Sequence, residues 1–190
     1  MTTFAWLTYS KVLNGNLNIH VAAWDMEYYI GDEKKENPIG ITIPTLYPQM
    51  PEQTIKVDIK NNGEALVDID YHIQSISIAG VDYELVSEGN QNTTENYINI
   101  PNSTLETDPE TGVLVAKGKI IDDATRFPFT VELEHSLQVV AKDKGYLTLK
   151  VKWNGDNDEL DSEWGYKVGK YFADNPTATS AMSITLSIDS

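Results

Sequence analysis

The densest group of side chains that could do chemistry is an acidic segment, Asp156-Asn-Asp-Glu-Leu-Asp-Ser-Glu163. Calcium takes six to eight oxygen ligands, and closely spaced carboxylates in a loop can supply several of them. Asp156, Asp158 and Asp161 are therefore the candidate calcium ligands. The segment is not an EF-hand loop, because Leu160 occupies the third ligand position. An acidic first turn of a helix explains the same residues, so no metal site is assigned and calcium stays the one candidate cofactor.

Histidine offers a second route to metal chemistry. His20, His72 and His135 are far apart in the sequence, and each falls in a predicted strand. Imidazole is a common ligand, so a fold that brought the three together could bind a metal. Three separate strand residues are the simpler interpretation.

The chain shows none of the motifs that accompany the common catalytic sites. It has no nucleophile elbow, phosphate-binding glycine loop or His-Glu-x-x-His helix. It also has no cysteine, which excludes thiol catalysis and sulfur-ligated metals. Carboxylates are abundant, so two of them meeting by chance is expected and does not indicate a glycosidase. The sequence favours a protein that is not an enzyme, with an exported hydrolase ranked last.

Charge narrows the range of partners. The 190 residues include 14 basic and 29 acidic side chains, which gives a net charge of −15. A chain this acidic repels a phosphate backbone, so nucleic acid is not expected as a partner. The chain has no apolar run of membrane-spanning length, and no membrane span is predicted.

Period-2 alternation of apolar residues over most of the chain predicts antiparallel strands. The clearest runs, 55–59 and 67–73, flank Asn61-Asn62-Gly63, which predicts a hairpin or a tight sheet corner. Ala79-Gly80 marks another turn, and 31–37 reads as a charged loop. Further strands are predicted at 17–23, 24–30, 41–43, 76–78, 81–86, 97–100, 113–121, 129–134, 137–141, 146–153 and 182–188.

One segment, 158–173, has helical spacing instead. Its apolar residues recur every three or four positions, at Leu160, Trp164, Val168 and then Tyr171 or Phe172. Acidic residues crowd its start, and Asn175-Pro176 ends it. A helix of two to four turns is expected there. The predicted fold class is therefore all-β: an antiparallel β-sandwich or jelly roll with one α-helix inserted near the C-terminus, forming a single domain over 1–190.

The opening residues 2–10 are apolar and rich in aromatics. In an extended strand, Phe4, Trp6 and Thr8 point to one side, and Ala5, Leu7 and Tyr9 point to the other. No charged residue precedes Lys11, although charges normally guard a free edge strand. The segment is either the first strand of its own domain or a donor strand for a neighbouring molecule, and the sequence supports both equally.

In this order, the features resemble the TasA/camelysin-like family of exported bacterial proteins that form biofilm-matrix fibres. Thr3-Phe-Ala-Trp-Leu-Thr8 is similar to the junction between a signal segment and the mature protein. The stretch 47–71 is similar to the family's proline turn, alternating strand, Asn-Asn-Gly turn and second strand. The stretch 153–176 resembles a helical insertion seen in some relatives. Met50-Pro-Glu-Gln53 departs from the family's usual Pro-Gly-Asp.

This resemblance implies a secreted structural protein, extracellular or at the cell surface, that binds copies of itself and other matrix or cell-surface components. Polymerisation would proceed by exchange of the N-terminal strand, whose residues are Phe4, Ala5, Trp6, Leu7, Thr8 and Tyr9. The alternative is a surface β-sandwich that binds a glycan or host ligand. Its binding platform would be exposed aromatics such as Trp153 and Trp164.

Overall fold

A computed structural model of the protein describes residues 25–87, 95–100, 103–108 and 114–189. These residues form strands and one helix near the C-terminus, arranged as a β-sandwich, which confirms the predicted fold class. The N-terminal strand Phe4 to Tyr9, the predicted strand 17–23 and His20 lie outside the described residues.

The described elements are, in chain order, β1 (Met26–Ile30), β2 (Glu33–Lys35), β3 (Ile39–Ile43), β4 (Gln53–Asn61), β5 (Val67–Asp68), β6 (Asp70–Ile78), β7 (Val81–Ser87), β8 (Tyr97–Ile100), β9 (Thr104–Thr107), β10 (Leu114–Ile121), β11 (Phe129–Ser136), β12 (Gln138–Val139), β13 (Lys144–Trp153), the helix α1 (Asp158–Asp174) and β14 (Met182–Asp189).

Two sheets make the sandwich. The larger has seven strands in the order β2-β1-β4-β13-β11-β10-β9, and all its neighbours are antiparallel. The smaller has five strands in the order β3-β14-β6-β7-β8, in which only β7 and β8 run parallel. A short ladder of β5 and β12 is separate from both sheets.

The core lies between the sheets and follows from the alternation in sequence. In β13, Leu147, Leu149 and Val151 are fully buried, and Ile184 and Leu186 of β14 are their counterparts in the smaller sheet. Burying each such side chain contributes roughly 1.5–3 kcal/mol, which makes this period-2 pattern the main force that fixes strand register.

Asn61-Asn62-Gly63 forms a sheet corner, which settles the choice that the sequence left open. β4 pairs with β1 and β13, whereas the chain after Gly63 continues into β5 and β6 outside that sheet. The buried side chain of Asn61 holds the corner: its amide nitrogen donates to the carbonyls of Ala65 (2.7 Å) and Val139 (3.1 Å), and its oxygen accepts from the Gly63 N–H (2.9 Å).

The predicted turn at Ala79-Gly80 is a two-residue hairpin between β6 and β7, and both residues have positive φ, 48° and 76°. A Cβ atom on Gly80 would lie 2.7 Å from the ring of Tyr171 in α1. Glycine is therefore required by the turn conformation and by the close approach of the helix.

Four local predictions were wrong. The predicted loop 31–37 contains β2, whose charged residues hide its strand character but form the ion pairs Lys34–Glu27 and Lys35–Glu33. β9 was missed because all four of its side chains are exposed and show no alternation. Only two residues of 137–141 form a strand, β12. The helix has 17 residues, more than four turns.

Candidate functional site

β13 runs between two ends of the sandwich that differ in how they are covered. At Trp153, which pairs with Phe129, the helix packs over the sheets; this is the closed end. At Lys144, which pairs with Lys60, the chain forms the corner at Asn61 and no helix covers it among the described residues; this is the open end.

The closed end is a cluster of aromatic rings. The Trp164 ring of α1 lies 5.4 Å from that of Phe127 and 5.3 Å from that of Phe129, measured between centroids. The Phe129 ring is in turn 5.6 Å from Trp153. The Trp164 indole N–H donates to the carbonyl of Arg126 at 2.8 Å, so the one polar atom of the ring is satisfied.

Asp161 fastens the helix to this cluster. One of its carboxylate oxygens accepts a hydrogen bond from the Trp153 indole N–H at 2.5 Å, and the other accepts from the backbone N–H of Asn157 at 3.1 Å. Asn157 is itself the N-cap, because its side-chain oxygen accepts from the Leu160 N–H. Asp161 is buried and both of its carboxylate oxygens accept hydrogen bonds, so its role is structural.

The three candidate calcium ligands are not brought together. Asp156 and Asp158 are exposed at the start of α1, whereas Asp161 points inward to Trp153. No group of three or more His, Cys, Asp or Glu side chains able to hold a metal occurs among the residues that the structure describes. The acidic segment serves as the N-terminal turn of a helix, where negative charge complements the helix dipole.

The expected glycan platform on Trp153 and Trp164 is wrong. Their exposed fractions are 0% and 4%, so neither ring offers a face to a ligand. Local sequence does not show this burial, because both rings pack against Phe129, which belongs to another strand. The ring that α1 does expose belongs to Tyr166, at 70%.

The two described histidines are also apart. His135 is buried with its Nδ1 atom 2.9 Å from the Ser136 carbonyl oxygen, and its ring packs edge-on against Tyr71 at 5.2 Å. His72 is exposed on the outer face of the smaller sheet. His135 is therefore a packed core residue with a local hydrogen-bond partner.

The open end contains an apolar groove of about 710 Å³ between β9 and β10 on one side and the start of β6 on the other. Among the described residues, its lining is apolar at Ile69, Leu105, Leu114, Ala116 and Leu137, and polar at Asp68, Asp70, Ser103, His135 and Gln138. Leu105 is 62% exposed and Leu114 47% exposed, on neighbouring strands. The two leucines form a small exposed apolar surface at the mouth of the groove.

The edge strand β9 borders this groove. It pairs with β10 on one side, and no described strand pairs with its other side. Its sequence, Thr-Leu-Glu-Thr, contains no lysine or proline, the residues that commonly block an edge. Backbone groups on that edge can therefore accept a further strand.

Hydrogen bonds brace the end of β9. The Tyr146 hydroxyl donates to a carboxylate oxygen of Glu134 at 2.9 Å and lies 3.3 Å from one of Asp108, the residue after β9. Burial raises the pKa of Tyr146 above its ordinary value, and the bond to Glu134 adds to this. The hydroxyl thus keeps its proton and its donor role at neutral pH.

The described chain begins at the same open end. The Asn62 N–H donates to the Asp25 carbonyl at 2.8 Å, and Met26 pairs with Asn61. The 15 residues between Tyr9 and Asp25 span at most about 50 Å when fully extended.

Within the described ranges, no helix is both long and apolar enough to cross a membrane. Comparison of the chain with models of protein families, with curated proteins and with solved structures finds no match.

Proposed function

We propose that this chain is an extracellular structural protein of the TasA/camelysin-like type, which polymerises by lending its N-terminal strand, Phe4 to Tyr9, to the open end of a neighbouring copy. The observation that carries the proposal is the groove with two exposed leucines beside the edge of β9, with which no described strand pairs. A groove of this kind is completed by an apolar strand.

The chemistry of the two surfaces matches. An added strand hydrogen-bonds to the free backbone edge of β9, and its side chains alternate between groove and solvent. Phe4 and Trp6 share one face of the strand, so one register delivers two large rings to Leu105 and Leu114. Covering each leucine fully contributes up to roughly 1.5–3 kcal/mol.

Such a contact generates a fibre rather than a closed dimer. The donor strand and the acceptor groove are different surfaces, so the contact is heterologous and can repeat without closing. The same strand lying in its own groove gives a monomer. Exchange between these two states would convert monomers into a polymer.

Deleting residues 2–10 tests the proposal. The truncated chain should keep its β-rich circular dichroism spectrum and form no fibres in negative-stain microscopy. Fibres formed by the truncated chain would contradict donor-strand polymerisation. A matched control, Thr2→Ser with Thr3→Ser, leaves the apolar strand intact and should polymerise normally.

Adding residues 2–10 back as a peptide distinguishes a strand that pairs within its own domain from one that pairs with a neighbouring molecule. If the truncated chain is unfolded, and a peptide of residues 2–10 restores the fold without fibres, the strand belongs to its own domain. If the truncated chain is folded and the peptide blocks fibre formation by the full-length chain, the groove accepts strands from other molecules.

A second candidate function is ligand binding in a cleft of about 500 Å³ between α1 and the β6–β7 hairpin. Its lining includes Tyr83, Tyr166, Tyr171 and Asn96, the aromatic and amide groups that contact sugars in binding modules. This cleft, which Trp164 also lines although that residue is only 4% exposed, is the place to look for a glycan. Glycan-array binding by a monomeric sample, lost on Tyr166→Ala, would favour this function.

A further inference from the structure

The outer face of the seven-stranded sheet carries an unusual concentration of positive charge. On its central strands β4 and β13, the charged side chains that point to solvent are Lys56, Asp58, Lys60, Lys144, Lys150 and Lys152. We call the five lysines the lysine strip. Five lysines against one aspartate leave these positions at +4, so the rest of the −15 chain carries −19.

The outer face of the smaller sheet has no comparable group of lysines. No strand of the smaller sheet contains a lysine, and its outer face presents mainly hydroxyl groups, from Thr42, Ser75, Ser77, Ser183 and Thr185. The two sheets share the same core pattern but differ in what they offer to solvent. Solubility alone does not require lysines at the centre of one face.

The strip is only partly neutralised within the molecule: Glu27 lies opposite Lys60, Glu132 lies opposite Lys150, and Lys56 pairs with Asp58 at 2.8 Å. Lys60 and Lys144 are directly opposite each other on neighbouring strands, an arrangement of like charges that destabilises a sheet. In the described part of the chain, Lys144, Lys150 and Lys152 form no ion pair, and Lys60 rests on the ring of Tyr29 at 3.9 Å. An acidic surface from outside would relieve this repulsion.

We infer that the lysine strip docks the acidic surface of a second copy of this chain. The charge complementarity is contained in the chain itself, since everything outside the strip is strongly negative. The part of the second copy that fits best is the start of α1, where Asp156, Asp158 and Glu159 are exposed and form no ion pair with any described residue. Strip and helix start are different surfaces, so the contact can repeat from copy to copy unless two copies exchange it reciprocally as a closed pair.

The inferred contact is independent of the proposed strand exchange and has its own salt dependence. Whole molecules, each with a net charge of −15, repel one another over long distances. The lysine strip of one copy and the helix start of another attract each other at short range. Near 0.1 M salt the screening length is about 10 Å, which weakens the repulsion more than the contact. Self-association should therefore be strongest near 0.1 M salt. It should be weaker at about 1 M, because a screening length of about 3 Å weakens the contact as well.

Charge reversal with cross-rescue tests the contact in the full-length chain, by sedimentation velocity near 0.1 M sodium chloride. Lys150→Glu with Lys152→Glu, and separately Asp158→Lys with Glu159→Lys, should each weaken self-association about tenfold or more, because each juxtaposes like charges. A mixture of the two variants should restore association. Lys34→Glu with Lys35→Glu, which changes the net charge equally on the edge strand β2, should retain it within about twofold.

The outcomes separate the two proposals. Loss of association in both reversed variants with restoration in the mixture supports the strip, even if no fibre forms. Unchanged association in either reversed variant, or no restoration in the mixture, overturns the strip, even if fibres form by strand exchange. Polygalacturonate serves as a probe for an anionic glycan: strip-dependent binding of that polymer without strip-dependent self-association would also overturn docking of a second copy.

Discussion

The two ends of the sandwich differ in how their apolar side chains are covered, although β13 runs through both. At the closed end, α1 covers the sheets with Trp164, and Asp161 hydrogen-bonds to Trp153, so apolar and polar groups alike are satisfied. At the open end, Leu105 and Leu114 remain exposed beside an edge strand whose outer side no described strand covers. The helix thus buries the apolar side chains of the closed end, whereas apolar side chains stay exposed at the open end among the described residues.

This contrast separates two kinds of residue that look alike in the sequence. Trp153 and Leu105 are both apolar side chains in strands, yet one is buried and the other is 62% exposed. Stability should respond strongly to changes at the closed end and weakly at the open end. Assembly should respond weakly to changes at the closed end and strongly to changes at the open end, so variants at the two ends test the comparison directly.

The largest loss of stability is expected from Trp153→Ala at the closed end. Removing a fully buried tryptophan leaves a cavity and one Asp161 carboxylate oxygen without its donor, which should cost about 3–5 kcal/mol. Leu105→Ala at the open end should change the free energy of unfolding by about 0.5 kcal/mol or less. Urea denaturation of both variants measures the difference, and similar losses would mean that the two ends do not differ as described.

Asp161→Ala should have the next largest effect. It removes the acceptor of the buried Trp153 N–H and a partner of the Asn157 N–H, at a cost of about 1–3 kcal/mol. Asp158→Asn, an exposed change in the same helical turn, should cost about 0.5 kcal/mol or less. Thermal melting of the two variants makes the comparison.

The Asp158→Asn variant also tests whether the acidic segment binds calcium. With Asp161 engaged inside the fold, the melting temperature should be the same in calcium chloride and in sodium chloride at equal ionic strength. A calcium-specific rise that Asp158→Asn abolishes would restore the acidic segment as a calcium site. A rise that survives this substitution would place the site elsewhere.

Leu105→Ser with Leu114→Ser should separate assembly from stability at the open end. Both side chains are already partly exposed, so the free energy of unfolding should fall by about 1 kcal/mol or less. The groove would lose its apolar walls, and fibre formation should cease. Val81→Ser with Val140→Ser, two exposed valines away from the groove, is the matched control and should polymerise.

The smallest effect is expected at the edge strand β2. A hydrogen bond from Lys34, helped by others from Asn62 and Tyr29, lowers the pKa of Glu27 from 4.5 to about 2. A lowered pKa means that the contribution of this contact is present above pH 4.5 and is lost as the pH falls towards 2. Lys34→Gln should raise the pKa of Glu27 in a carboxyl NMR titration with little change in melting temperature, since both groups lie at the surface.

Much of the fold could be predicted from the sequence because burial imposes periodicity. The alternation in β4, β6, β13 and β14, and the three–four spacing in α1, follow from which side of each element faces the core. β2 and β9 could not be predicted in this way, since neither buries a regular set of side chains. Their pairing depends on neighbouring strands, which local sequence does not reveal.

The candidate site was less accessible to prediction. The apolar alternation of Phe4 to Tyr9 identifies a strand that needs a partner, but the groove is assembled from Ile69, Leu105, Leu114 and Leu137, which are distant in sequence. The burial of Asp161 was equally hidden, because its partner Trp153 belongs to another element. A dense acidic segment looks the same whether its members face solvent or the core.

The central claim is that the open-end groove accepts the N-terminal strand of a neighbouring copy. The chain has no cysteine, so engineered disulfides report on it without interference. One chain would carry Leu105→Cys, and the other either Ala5→Cys or Trp6→Cys, which lie on opposite faces of the strand. Mixed under oxidising conditions, Leu105→Cys and Trp6→Cys should form a disulfide-linked heterodimer on non-reducing electrophoresis, and Ala5→Cys, on the opposite face, should not.

A chain with both substitutions provides the decisive comparison. If it cross-links only within itself, and mixtures of the single variants yield no heterodimer, the strand lies in its own groove and donor-strand polymerisation is contradicted. The account predicts cross-linking between chains, in ladders of dimers, trimers and longer species for the doubly substituted chain.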